Sequence, residues 1–226
     1  IKTGLWRFIR PVIKVKTPPC SEGCPAGVDV RGFISLMKQG LFEEAHQLYL
    51  EENPFPAICG RVCFHPCESK CNRGRFDEPI AIHALERFVA DFASQRSRKI
   101  EKVSTQAKEK IAVVGSGPAG MSCAYHLARL HYRVTVFESQ TLPGGMLRMG
   151  IPSYRLPKDV LDCEISSIEA LGVEIRTGAP IGEKIQVEAL NDYQATFIAT
   201  GAHLSRGLKV PGERGRRVQS GLDLLK

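Results

Sequence analysis

Six of the eight cysteines fall between positions 20 and 71, as Cys20-x3-Cys24 and then Cys59-x3-Cys63-x3-Cys67-x3-Cys71. Thiolates so crowded have two ordinary uses, disulfides in a secreted scaffold or metal ligation in a reducing compartment. The next hundred residues carry a nucleotide-binding pattern of the intracellular type, so the cysteines read as metal ligands. Zinc sites are usually built from C-x2-C pairs, and none occurs here. The ferredoxin run C-x2-C-x2-C-x3-C is absent as well. The remaining cysteines, Cys123 and Cys163, lie in helical stretches and are expected to be small core residues.

The second chemical feature is Gly115-Ser116-Gly117-Pro118-Ala119-Gly120, a G-x-G-x-x-G. Its first glycine permits a tight turn, its second lets backbone approach a pyrophosphate, and its third lets helix and strand pack closely. Helix-terminal N–H groups then face the phosphates. Glu138 ends the next apolar run, where a carboxylate accepts ribose hydroxyls, and no arginine follows to favour a 2′-phosphate.

These groups need positioning elements, and the apolar spacing supplies them. Asp29 is expected to cap a helix ending near Gly40, with Phe33, Ile34 and Met37 on its apolar face. Leu41 to Glu51 reads as a second helix stopped by Asn53-Pro54, and Pro79 to Gln95 as a third. The stretch from Cys59 to Cys71 lies between them, broken by Pro66 and Gly74. From Ile111 the pattern changes to strand, glycine turn, helix (Met121 to Leu130) and strand (Val134 to Glu138). A helix from Lys158 to Leu171 and strands at Val173 to Arg176 and Ala195 to Thr200 follow. That order implies a parallel sheet with right-handed crossovers. The expected organisation is a basic arm (1–19), a helical cysteine domain (20–95), a charged linker (96–110) and an α/β Rossmann-like domain (111–226).

No apolar run reaches the length of a membrane span, and the arm lacks the apolar core of a signal peptide, so a cytoplasmic protein is expected. The net charge of +7 suits anionic cofactors and an acidic protein partner. Its basic residues are scattered and not interleaved with aromatics, which argues against nucleic acid.

Two later features favour FAD as the dinucleotide. Pro143-Gly144-Gly145 can let backbone run along a longer cofactor, and Phe197-Ile198-Ala199-Thr200-Gly201 ends a strand at the ligand-binding edge of the sheet. The combination resembles the first domain of flavoproteins with two dinucleotide-binding domains. Beside a flavin, iron–sulfur ligation is the favoured reading of the cysteines, because flavins exchange hydride pairs for the single electrons that clusters carry.

A more specific resemblance follows from CSEGCP, CGRVCFHPCESKCNRG, PIAIHALERF, VVGSGPAG, PGGMLRMGIPSYRLPKDV and FIATG, in that order. This series resembles the small-subunit family of NADPH-dependent glutamate synthase. The N-terminal part of dihydropyrimidine dehydrogenase and several FAD-dependent NAD(P)H:acceptor oxidoreductase subunits share it. The resemblance implies two [4Fe-4S] clusters in the helical domain. One would take Cys24, Cys63, Cys67 and Glu86, although from the sequence alone Glu86 is a solvated helix acid. The other would take Cys20 and Cys71, but Val15-Lys16-Thr17-Pro18-Pro19 stands where two upstream cysteines are usual. Cys59 or His65 could replace them, or the second cluster is altered or lost. For FAD the resemblance implies Gly115, Ser116, Gly117, Pro118 and Ala119 on the pyrophosphate and Glu138 on the ribose. It further implies Gly144, Gly145, Met146 and Arg155 along the cofactor, Ile181, Thr200 and Gly201 near the adenine half, and the Val62 backbone near the flavin.

The family continues into an NAD(P)H domain with a second glycine fingerprint, which this sequence lacks, so a fragment of a longer protein is expected. The leading functional expectation is an electron-transfer subunit working between NAD(P)H, FAD, [4Fe-4S] clusters and a partner oxidoreductase. No side-chain acid or base is required for that chemistry. The competing expectations are a non-catalytic assembly or relay module and a zinc-stapled nucleotide-binding protein.

Overall fold

The computed structural model describes residues 16–95, 109–213 and 215–225. The expected arm lies almost wholly, and the expected linker mostly, outside these residues. The helical part runs α1 (Pro19–Glu22), α2 (Val30–Lys38), α3 (Phe42–Glu52), α4 (Pro56–Val62), α5 (Pro66–Ser69), a 3-10 turn (Asn72–Arg75) and α6 (Ile82–Ser94). Asp29 caps α2 as its position demands, accepting the Gly32 N–H at 3.0 Å. Pro19, Pro56 and Pro66 each open a short helix, where their missing N–H costs nothing. Val28, Phe33, Ala45, Tyr49 and Val89 form one core, with the Phe33 and Tyr49 rings edge-on at 4.9 Å. A smaller cluster joins Val30, Cys67 and Ile82.

A local expectation is corrected here. The third helix begins at Ile82, not Pro79: Ile80 packs onto the same small cluster as Ile82, and its carbonyl accepts the Ile82 N–H at 2.8 Å in a tight turn before the helix. Cys59 lies on α4, and Cys67 on α5.

The second part runs β1 (Lys110–Val114), α7 (Pro118–Arg129), β2 (Arg133–Phe137), α8 (Met146–Met149), α9 (Lys158–Glu169), β3 (Glu174–Arg176), a 3-10 turn (Val187–Asp192), β4 (Ala195–Ile198) and α10 (Gly221–Leu225). The strands are parallel in the order β3-β2-β1-β4, with Val113 opposite Val136 and Phe197. Crossovers through α7 and α9 explain the parallel arrangement. α7 starts three residues before the expected Met121, since Pro118 is preorganised for a first helical turn. β1 and β2 are buried, whereas all four residues of β4 are exposed. Among the described residues no helix is long and apolar enough to cross a membrane.

The two parts share a core. Phe55 and Ile58, at the start of α4, pack with Val113, Met121, Leu161 and Ile165 of the α/β part. Polar groups reinforce the contact. The Ala57 and Ile58 N–H groups donate to the buried Glu164 carboxylate of α9 at 2.6 and 3.2 Å. At the other end of the interface the Tyr125 hydroxyl donates to the Leu50 carbonyl at 2.8 Å, and Arg129 to the Leu50 and Glu51 carbonyls.

Candidate functional site

The glycine turn after β1 opens onto a cavity of about 490 Å³. Gly115, Ser116, Gly117, Pro118 and Ala119 form one wall. Glu138 comes from the end of β2, Gly145 and Met146 from the start of α8, Ile181 from beyond β3, and Thr200 and Gly201 from beyond β4. Met149, Glu183 and His203 also line it, and sequence spacing did not single them out.

Close approach explains the glycines. Gly115 sits at φ 104°, and a Cβ there would fall 2.4 Å from the Ala199 oxygen. A Cβ on Gly120 would fall 1.9 Å from the Gly115 oxygen, which is the helix–strand contact that the third glycine permits. Gly117 differs, because its Cβ would meet nothing within 4 Å, so bare backbone faces the cavity. Gly145 sits at φ 50° with a Cβ position 2.8 Å from the Gly117 Cα, which brings the second glycine pair against the first turn.

Ser116 and Glu138 tie these turns together. Glu138 accepts from the Ser116 N–H at 2.9 Å, the Ser116 hydroxyl, the Ser139 hydroxyl at 3.1 Å and the Gln140 N–H at 2.8 Å. Burial opposes its charge, yet these donors together hold the carboxyl below its ordinary value. The Ser116 oxygen in turn accepts the Gly144 N–H at 3.0 Å. Gly144 is therefore buried behind the second turn, against Leu161, and not on the cavity wall. Arg155 is exposed in the turn before α9, and Val62 packs into the shared core. Neither lines this cavity.

In the helical part, Cys24, Cys63, Cys67 and Glu86 converge from four separate segments. Cys67 feels the charges of Cys24 and Cys63, and Cys63 those of Glu86 and Cys24. Burial, followed by these neighbours, pushes Cys67 up to about 11. Burial raises Cys63 too, against the His65 N–H that donates to its sulfur at 3.2 Å. Glu86 is buried at 5% exposure, which corrects the expectation of a solvated helix acid. Burial pushes its carboxyl up to about 8, against a hydrogen bond with Tyr49. Its Oε1 is buried without a hydrogen-bond partner among the described residues. An orphaned carboxylate oxygen beside thiols that raise one another's pKa is a donor set suited to a cation. These residues fit a metal cluster.

The other cysteines are distributed differently. Cys20 is on α1 and packs onto the cluster of Val30, Cys67 and Ile82. Cys71 caps the 3-10 turn. Cys59 packs into the core shared by the two parts and is pushed up to about 12, chiefly by burial and then by Glu86. Cys123 packs against that core as expected, but Cys163 is exposed on α9, because that face of the helix lines an open cleft instead of the core.

Comparison with known proteins sorts these two sites by family. Residues 11–98 match the family described as dihydropyrimidine dehydrogenase domain II, 4Fe-4S cluster. Residues 113–172 match the NAD(P)-binding Rossmann-like domain. The chain is 41% identical over 220 residues to the NADP(+)-dependent formate dehydrogenase subunit beta of Moorella thermoacetica, covering 87% of this chain and 31% of that protein. It is 38% identical to the NAD-dependent dihydropyrimidine dehydrogenase subunit PreT of Escherichia coli K12, covering 92% of this chain and 51% of that one. Identity to the glutamate synthase [NADPH] small chain of Mycobacterium tuberculosis is 35%, covering 92% and 43%. The chain thus spans about a third to a half of the length of these relatives.

Proposed function

Since the chain belongs to the family of oxidoreductase subunits that join a 4Fe-4S domain of the dihydropyrimidine dehydrogenase type to a Rossmann-like nucleotide-binding domain, we propose that it is the electron-relay part of an NAD(P)H-linked oxidoreductase. It works between NAD(P)H, FAD, [4Fe-4S] clusters and a partner oxidoreductase subunit, with the NAD(P)H site in a region outside this sequence. The observation that carries this reading is α4. It leads directly into Cys63, and its first turn is part of the core that supports the glycine turn, through Phe55 and Ile58 against Val113 and Met121. Cluster ligands and dinucleotide cavity therefore rest on one packed unit.

FAD bound in the cavity supplies the exchange of hydride pairs for single electrons, and a [4Fe-4S] cluster supplies the single-electron path. The chain's own residues position both. The bare Gly117 backbone admits a pyrophosphate, and Glu138, held ionised by its four donors, accepts from ribose hydroxyls. Cys24, Cys63, Cys67 and Glu86 hold one cluster, and Tyr49 orients the Glu86 carboxyl. Cys20 and Cys71 belong to a second cluster, with Cys59 or His65 as candidates to complete it. The division into a helical domain at 20–95, a linker at 96–110 and a nucleotide-binding domain from 111 belongs to the same reading.

The test is anaerobic purification of the full-length protein, with iron, acid-labile sulfide and flavin counted before NADH or NADPH is added. Bound flavin and at least one cluster, both reduced by one of the two nicotinamides, are expected. Flavin that stays oxidised with both would sink the catalytic reading and leave a passive relay module. A colourless protein holding zinc and no iron would sink the cluster assignment.

A further inference from the structure

A dinucleotide brings phosphate charge into the cavity beside the glycine turn, and the charged side chains lining that cavity are mostly acidic. Glu138 and Glu183 are carboxylates. Among the described residues that line it there is no lysine or arginine, and His203 alone can carry a positive charge. The serine hydroxyls at the turn are already committed, since Ser116 and Ser139 both donate to Glu138. The ring nitrogens of His203 have no hydrogen-bond partner among the described residues.

Sheet register sets His203 beside the glycine turn. Val114, the last residue of β1, pairs with Phe137 of β2 on one side and with Ile198 of β4 on the other. Glu138 and the segment after β4 therefore flank the turn from opposite sides. The approach on the β4 side is close, since a Cβ on Gly115 would fall 2.4 Å from the Ala199 oxygen and 3.3 Å from the Thr200 Cα. Gly201, in the left-handed region at φ 74°, then bends the chain. The His203 ring folds back along this bend, with Nε2 3.4 Å from the position of a Gly201 Cβ. With the ribose at Glu138 and the pyrophosphate at the turn, His203 stands on the far side of the phosphates from the acid.

We propose that His203 is the phosphate-binding side chain of this cavity, donating a ring N–H to the pyrophosphate of the dinucleotide. The inference rests on the reading of the cavity as an FAD site and adds a residue to it. An imidazole donates an N–H in both protonation states, and its charged form also offsets phosphate charge. The start of α7 offers only backbone N–H groups to the same phosphates, so His203 supplies the side-chain contact that the turn lacks. It selects ligands by their phosphates and not by their base. A nucleoside diphosphate gains from the contact, and a nucleoside does not.

The full-length protein is purified anaerobically, its flavin is removed and its iron counted, and FAD, ADP and adenosine are titrated into it by calorimetry. His203→Ala should weaken FAD and ADP by about 10-fold or more, as loss of a charge-assisted hydrogen bond does, and leave adenosine unchanged. His203→Arg, which keeps a cation at this exposed position, should recover much of the loss. Iron content and melting temperature should match the wild type in both variants, because the side chain is exposed. Undiminished FAD and ADP binding in His203→Ala overturns the proposal and leaves the FAD reading standing. An equal loss for adenosine also overturns it, by placing the ring on the base or ribose, as does a His203→Arg variant that recovers nothing. Wild-type protein that takes up neither FAD nor ADP sinks the FAD reading itself, and this inference with it.

Discussion

A methyl group added at Gly117 meets nothing, whereas one added three residues later at Gly120 collides with the Gly115 carbonyl. Backbone angles at Gly117 (φ −67°, ψ 178°) are open to alanine as well. The two glycines of one motif therefore separate stability from binding. Gly117→Ala is expected to change stability by no more than about 0.5 kcal/mol, yet to release the proposed flavin, because its methyl would occupy the place proposed for the pyrophosphate. Gly120→Ala is expected to cost about 2 kcal/mol or more by forcing α7 off β1. Thermal denaturation and flavin retention on the two variants check this. If Gly117→Ala kept its flavin, the turn would not be where the phosphates lie.

At the scale of elements, α4 is too short to persist alone and takes its order from neighbours. Gly60 is where it touches α6, since a Cβ there would stand 2.7 Å from the Arg87 backbone. Arg61 adds a hydrogen bond of 2.7 Å to Asp91 of α6. Cys63 follows α4 and Glu86 lies on α6, so the spacing of these helices sets the distance between two proposed cluster ligands. Gly60→Ala should destabilise the protein by about 1–3 kcal/mol through overpacking. Because the added methyl spreads the two helices, iron per chain after anaerobic reconstitution should also fall. A variant that loses stability but keeps full iron content would show that this spacing does not govern the site.

Across the whole molecule, Glu164 is the polar link between the two parts. Burial pushes its carboxyl from an ordinary 4.5 up to about 8, against the Ala57 and Ile58 N–H groups and Arg61. With the folded value raised, the protonated form carries the stabilising contribution. That contribution is fully present below about 4.5 and is lost as pH rises through about 8. Thermal stability of the wild type should therefore fall relative to Glu164→Gln between these limits, because the amide cannot ionise and still offers an acceptor to α4. Parallel pH profiles of the two proteins would reject the assignment. Glu164→Ala leaves two buried N–H groups unpaired and should cost about 1–3 kcal/mol at any pH.

Local patterns determined a large share of this molecule. The interval between cysteines, the G-x-G-x-x-G after an apolar strand and the acid at the end of the next one are short-range signals. Each is readable because the chemistry and the turn occupy the same few residues. The strand–helix alternation likewise fixed a parallel sheet, since short crossovers of one hand leave few other solutions. Tertiary structure decided what depends on distant partners. Nothing within the sequence around Glu86 separates a solvated helix acid from a buried one, and its burial comes from packing among α3, α4 and α6. Glu164 meets α4 across more than a hundred residues, and His83 meets His65 and Glu68 only because α6 returns alongside the cysteine turn. Helical spacing could not separate Cys123, which packs into the core, from Cys163, which is exposed. Spacing along a chain encodes neighbours of the same element, while burial and charge pairing between elements exist only after they pack.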